Sequence, residues 1–146
     1  MERERGHVCS ACILAIPRVS PADPLAREAL HRLREASNVS SLIVPFYFEE
    51  HGPLQPLIHQ LKYGGATRMG EELGVHLGRL IQRLSPGKGE GVFVPVPLHR
   101  ARRRERGYNQ AECICRGAAE ILGWQVRADI LIRRRYTTTQ TKLKLE

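Results

Sequence analysis

Residues Val92 to Val96 form a short apolar run with no polar alternation, and such a strand suits burial on both faces, as in a parallel sheet flanked by helices. The residues after it supply the connection. A basic stretch from Arg100 to Arg106 leads through Gly107 into a helical pattern from Asn109 to Leu122. Ala111, Ile114, Cys115, Ala118 and Leu122 share one face of that pattern, and Gly123 serves as its cap. A further strand pattern, Ile130 to Ile132, comes next. Strand, long basic loop, helix and strand in this order describe an α/β crossover unit. Residues 92–132 are therefore predicted to contain two parallel strands joined through a helix.

The upstream half is mainly helical. Residues 8–22 read as irregular, punctuated by Pro17 and Pro21. Asp23 as an N-cap and Pro24 in the first helical position start a helix that ends near Asn38, with Leu25, Ala29, Leu30 and Leu33 on one face. Leu42 to Phe48 reads as a strand confined to an edge or a bulge by Pro45. Gly52 and Pro53 open a helix carrying Leu54, Leu57, Ile58 and Leu61, which stops at Gly64 and Gly65. Another helix spans Thr67 to Leu84, with Met69, Leu73, His76, Leu77, Leu80, Ile81 and Leu84 on its buried face. Ser85 to Gly91 is then a loop.

Composition narrows the function classes. A chain of 146 residues, 42% hydrophobic and 26% charged, makes one ordinary domain or a domain with a small appendage. Its longest apolar run, Leu42 to Phe48, falls far short of the roughly 18 residues of a membrane span. Val8 to Ile16 lacks a following cleavage site and is preceded by Glu2 and Glu4, against a signal peptide. The cysteine pairs Cys9/Cys12 and Cys113/Cys115 are too few for a disulfide scaffold and point to a reducing cytoplasm. Cys113 and Cys115 stand two apart on a helix, where side chains diverge. Twenty-three Lys and Arg against fifteen Asp and Glu give a net charge of +8, which favours a polyanionic partner: a phosphate ester, a nucleotide or nucleic acid.

The stretch that concentrates this charge is Pro95-Val96-Pro97-Leu98-His99 followed by Arg100, Arg102, Arg103, Arg104 and Arg106, interrupted by Glu105. Tyr108, Asn109 and Gln110 then begin a helix, whose free N–H groups and dipole favour an anion. This pattern implies a phosphate or pyrophosphate site; a solvated basic loop is the plain alternative. Lys62 and Tyr63, at a helix end, either reach a phosphate or answer the dipole. Tyr108 stacks on a base or packs, and His59 and His76 read as packing or polar-face residues.

Pro-Val-Pro-Leu-His, the basic spacer and Arg-Gly-Tyr-Asn-Gln resemble the central signature of the ComF family of phosphoribosyltransferase-like proteins, which are linked to DNA uptake in competence. Leu61-Lys62-Tyr63-Gly64 resembles that family's upstream motif, and Leu131, Arg133, Arg135, Thr137 and Gln140 its downstream one. The resemblance covers roughly residues 42 to 146. It implies a type I phosphoribosyltransferase-like parallel sheet with flanking helices, binding phosphoribosyl pyrophosphate with Mg2+. It gives a pyrophosphate-binding role to Pro97, Leu98, His99, Arg102 and Arg106, with Lys62, Asn109 and Gln110 beside them, and makes Arg133, Arg135, Thr137 and Gln140 part of a mobile closing loop.

Two departures accompany the match. The family's Asp-Asp-x-x-Thr-Thr-Gly loop, which holds the ribose phosphate and hydroxyls, belongs downstream of Gln140; this sequence runs to Glu146 and contains no Asp-Asp pair. The expectation is an incomplete α/β domain, residues 42–146, inactive in phosphoribosyl transfer as it stands and prone to self-association through an open sheet edge. Residues 1–41 read as a remnant of the family's zinc-ribbon-like module plus a helix. Cys9 and Cys12 form one Cys-x-x-Cys pair where a closed Zn2+ site wants four ligands, so zinc and unligated thiols both stay open. The rival functional reading is a non-enzymatic module that binds single-stranded DNA or DNA-uptake proteins, although only 5% of the chain is aromatic and stacking platforms are the usual means of single-strand binding.

Overall fold

Two helices without a bulky contact surface form the centre of the molecule. In the computed structural model, which describes residues 8, 10–20, 22–87 and 89–137, α4 (Thr67–Leu84) and α6 (Gln110–Leu122) make the most extensive contact between elements. Gly70, Gly74 and Gly78 recur every four residues along the buried face of α4 and meet Cys113, Ile114 and Ala118 of α6. A β-carbon at Gly70 would lie 2.8 Å from Cys113 Cβ, and one at Gly78 would lie 2.9 Å from the Ala118 carbonyl oxygen. Glycine here serves close backbone approach. The α6 face predicted from its larger residues is only half-buried at Ala111, Ile114, Cys115 and Leu122, because the small residues between them make the contact. On α4, Leu84 is likewise exposed, while Met69 and Leu73 are buried.

The short N-terminal helix α1 (Ser10–Leu14) and α3 (Leu54–Tyr63) complete the core. Ile13, Leu61, Met69 and Leu73 form one buried cluster, with Phe46, Leu57, Tyr108 and Ile114 packed against it. Residues before position 42 thus pack with the helices after it. The α3 row Leu54, Leu57, Ile58 and Leu61 faces inward, Leu61 fully and the others half-buried. The segment expected to form a strand at Leu42 to Phe48 makes one antiparallel bridge, Phe46 with Arg18. It is fastened by Val19 N–H to Pro45 O (3.3 Å) and Tyr47 N–H to Pro17 O (2.9 Å). Pro45 has no N–H with which to extend the ladder.

Helix α2 (Pro24–Ala36) starts as its sequence predicts: Asp23 Oδ1 accepts from Leu25 N–H (2.9 Å) and Ala26 N–H (3.1 Å). Tyr47 Oη–H donates to the other oxygen of the same carboxylate. The apolar face of α2 packs less than expected, with none of its residues buried and Leu25 68% exposed.

Strands β1 (Val92–Phe93) and β2 (Gln125–Val126) pair in parallel, Val92 opposite Gln125 and Phe93 opposite Val126. The crossover is therefore present, in shorter form. Pro95 and Pro97 remove the N–H groups that would prolong β1, and Val92 and Val96 are 52% and 68% exposed where burial on both faces was expected. Among the described residues the sheet has only these two strands. The second strand lies at 125–126, not at Ile130 to Ile132, whose side chains are exposed. Gly123, with φ of 68°, caps α6 in the left-handed conformation. It turns the chain so that Trp124 packs on Phe93 (ring centroids 5.1 Å apart) and Gln125 N–H reaches Gly91 O (3.3 Å).

The basic stretch is not a loop. Arg100–Arg106 forms helix α5, capped by His99 Nδ1 accepting from Ala101 N–H (3.3 Å) and closed by Gly107 at φ 80°. Arg, Ala and Glu are strong helix formers, and the pair Arg102–Glu105 (2.9 Å) spans one turn. Among the described residues no helix is long and apolar enough to cross a membrane.

Candidate phosphate site

The ends of α3 and α5 meet although more than 40 residues separate them. Tyr108 Oη–H donates to the Leu61 carbonyl oxygen (2.6 Å), fixing residues 61–64 against the turn between α5 and α6. Burial pushes the Tyr108 phenol up from its ordinary pKa, with Arg106 pulling the other way. The Arg106 guanidinium lies 5.3 Å from the centroid of the Tyr63 ring, a cation–π arrangement. Its Nη1 donates to Gln110 Oε1 (3.0 Å), and its buried Nε–H has no partner among the described residues. Lys62, Tyr63, Gly65, Glu105, Arg106 and Tyr108 line a cavity of about 220 Å³ here.

Asn109 is 5% exposed and fully used by the fold: Nδ2 donates to Val96 O (3.0 Å) and Oδ1 accepts from Ala111 N–H (3.0 Å). It ties the exit of β1 to the start of α6. Glu112 in the first turn of α6 pairs with Arg116 (2.6 Å) and Arg103 (3.5 Å), so a carboxylate already answers this end of the helix dipole. Arg103 thereby has a carboxylate partner in Glu112.

His99 and Arg102 belong to a second cluster. The Tyr136 ring meets His99 edge-on at 5.3 Å between centroids, and the Arg102 guanidinium lies 5.3 Å from the same ring. The bond to Glu105 raises the pKa of Arg102. Pro97 and Leu98 are half-buried. Arg133, Arg135 and Thr137 are exposed, with Arg133 Nη2 donating to Thr137 Oγ1; Gln140 lies outside the described residues. Tyr136 is the residue the motifs overlook. A lone aromatic in an arginine-rich segment is the one signal that marks it. The site residues therefore fall into two groups, Lys62 and Arg106 lining the cavity with Gln110 bonded to Arg106, and His99 and Arg102 gathered at Tyr136.

Metal ligands are not gathered in the same way. Cys12 sits exposed on α1 and Cys9 lies outside the described residues. Among the described residues no group of three or more His, Cys, Asp or Glu is arranged to hold a metal ion. Glu105 is the carboxylate that lines the Arg106 cavity, and it is bonded to Arg102. No set of oxygen ligands for Mg2+ and no closed site for Zn2+ is gathered among the described residues.

Fold and cavity define an α/β crossover protein with a cationic pocket. Comparison with known proteins finds similarity to the DNA utilization protein YhgH of Escherichia coli K12, 33% identical over 93 residues, which is 60% of this chain and 40% of the relative. The YhgH of Salmonella typhi is 35% identical over 98 residues, 62% of this chain and 41% of the relative. That of Salmonella typhimurium is 29% identical across an alignment of 153 residues, 97% of this chain and 60% of the relative. The chain spans about 40% to 60% of the length of these curated relatives. No family model matches the chain, and no solved structure matches it.

Proposed function

We propose that the chain is a cytoplasmic, ComF-like, phosphoribosyltransferase-type protein whose Arg106 cavity receives the pyrophosphate of phosphoribosyl pyrophosphate or a related phosphate ligand, in a role tied to DNA uptake or utilisation. The observation that carries this reading is the buried Nε–H of Arg106, without a partner among the described residues, beside a cavity that also gathers Lys62. A phosphate oxygen would satisfy that donor, and a charge-assisted bond of this kind is among the stronger ones available. The name of the relatives supports the DNA-linked setting. With no Asp-Asp pair in the sequence, the 146-residue chain is expected to bind pyrophosphate without transferring a ribosyl group.

A non-enzymatic nucleic-acid-binding module is the second reading, favoured by the relatives' name and the net charge of +8. Calorimetric titration of wild type and Arg106→Ala with pyrophosphate, and with single-stranded DNA over a series of salt concentrations, separates the two. Loss of a charge-assisted contact worth about 1.5–3 kcal/mol is expected to weaken pyrophosphate roughly tenfold to hundredfold. Pyrophosphate affinity unchanged, with the log-log salt slope for DNA reduced by about one unit, would replace the phosphoribosyl reading with the nucleic-acid one.

A further inference from the structure

A second basic cleft opens toward the other end of α4. The Arg18–Phe46 bridge lies beside the C-terminal half of that helix, and between them is a cavity of about 560 Å³, within the range of small-ligand pockets. Phe46 and Leu80 give it half-buried apolar walls, and His76 is half-buried among them. The exposed side chains of Arg18, Arg79 and Arg83 supply its charge. No Asp or Glu among the described residues lines it. Among the described residues none of the three arginines is in an ion pair.

Among the described residues of the cleft's lining none carries a negative charge to balance these arginines. Arg79 and Arg83 stand one helical turn apart, where like charges repel. Burial, then Arg79 and then Arg18 push the His76 imidazole below its ordinary pKa, while Glu72 pulls it up. Two of the cleft's arginines thus disfavour a positive charge on the imidazole. The cleft shares no lining residue with the Arg106 cavity. Thr67 and Arg79 stand twelve positions apart on α4, about 18 Å along the helix axis.

We propose that this cleft binds a nucleotide unit, with its phosphate held by Arg18, Arg79 and Arg83 and its base against Phe46 and Leu80. Guanidinium forks match phosphate oxygens, and the apolar walls beside them suit a planar, weakly polar ring. A free nucleotide and one unit of single-stranded DNA offer the same chemistry. The cleft's role is independent of the one assigned to Arg106.

The test uses the full chain and two fluorescent probes, N-methylanthraniloyl AMP and a fluorescein-labelled oligothymidine dodecamer, read by anisotropy at one fixed salt concentration. The double variant Arg79→Gln/Arg83→Gln is expected to weaken at least one probe by about tenfold or more while binding pyrophosphate as wild type does. Loss confined to AMP assigns the cleft to free nucleotides, and loss confined to the oligonucleotide assigns it to single-stranded DNA. Wild type binding neither probe, or the double variant binding both unchanged, overturns the proposal. The substitutions sit at exposed positions, and a thermal melt by circular dichroism checks the fold. A readout independent of any variant is the His76 imidazole in the NMR spectrum of wild type. It is expected to shift on addition of the probe that binds, and its failure to shift also overturns the proposal.

Discussion

Gly117 of α6 rests on the backbone of Glu71 in α4, so closely that a β-carbon at Gly117 would fall inside the van der Waals envelope of the Glu71 carbonyl oxygen. The obstacle is main chain, which has no rotamer to move aside. Ala normally favours a helix interior over Gly by roughly 0.5–1 kcal/mol. Here overpacking of about 1–3 kcal/mol or more reverses the sign. Gly117→Ala is expected to lower the urea midpoint of unfolding, whereas Gly89→Ala, with nothing near its added methyl, is expected to leave it nearly unchanged. A midpoint raised by Gly117→Ala would mean that the two helices do not meet there.

This contact also shows where sequence reading reaches its limit. The span of α4 and the cap of α6 at Gly123 are legible, since periodic apolar residues and end-specific residues act locally. The glycine row at 70, 74 and 78 is not, because hydrophobic periodicity weighs large side chains and close approach is made by small ones. Arg100–Arg106 reads as a loop on charge alone; its helix propensity and the caps at His99 and Gly107 decide otherwise. Of the site, the sequence identifies Lys62 and Arg106 as candidates, but their meeting depends on the tertiary bond from Tyr108 to Leu61, which no local pattern encodes.

That bond gives a second expectation. Tyr108→Phe keeps the ring in the core cluster and removes only the hydroxyl that holds the end of α3. The Leu61 carbonyl then loses a partner, at a cost of about 1 kcal/mol. Residues 61–64 should also exchange their amide hydrogens faster. Unchanged exchange at Lys62 and Tyr63 would show that the phenol does not position this segment.

The thiols of α6 should be slow to react. Burial raises the pKa of both Cys113 and Cys115, and neighbouring Glu residues add to the effect; thiolate is the reactive form. In the folded chain at neutral pH both are expected to alkylate with iodoacetamide at least about tenfold more slowly than in guanidinium chloride, as followed by peptide mass spectrometry. Equal rates in the two conditions would place these cysteines outside a stable helix contact.

Acid stability should depend on His76. Its folded-state pKa lies below its unfolded value, because burial, Arg79 and Arg18 disfavour the imidazolium more than Glu72 favours it. The unfolded chain therefore takes up this proton first as the pH falls. The contribution of His76 to stability is complete above the ordinary imidazole pKa of about 6.5 and is lost below it, down to the folded-state value. Wild type is expected to lose urea resistance as the pH falls through about 6.5, above the range in which most carboxylates protonate. His76→Gln, which keeps a polar side chain of similar reach without a titrating group, should flatten that part of the profile. Paired urea titrations at several pH values measure the difference. Parallel profiles for the two proteins would show that another group, not His76, sets the acid limb.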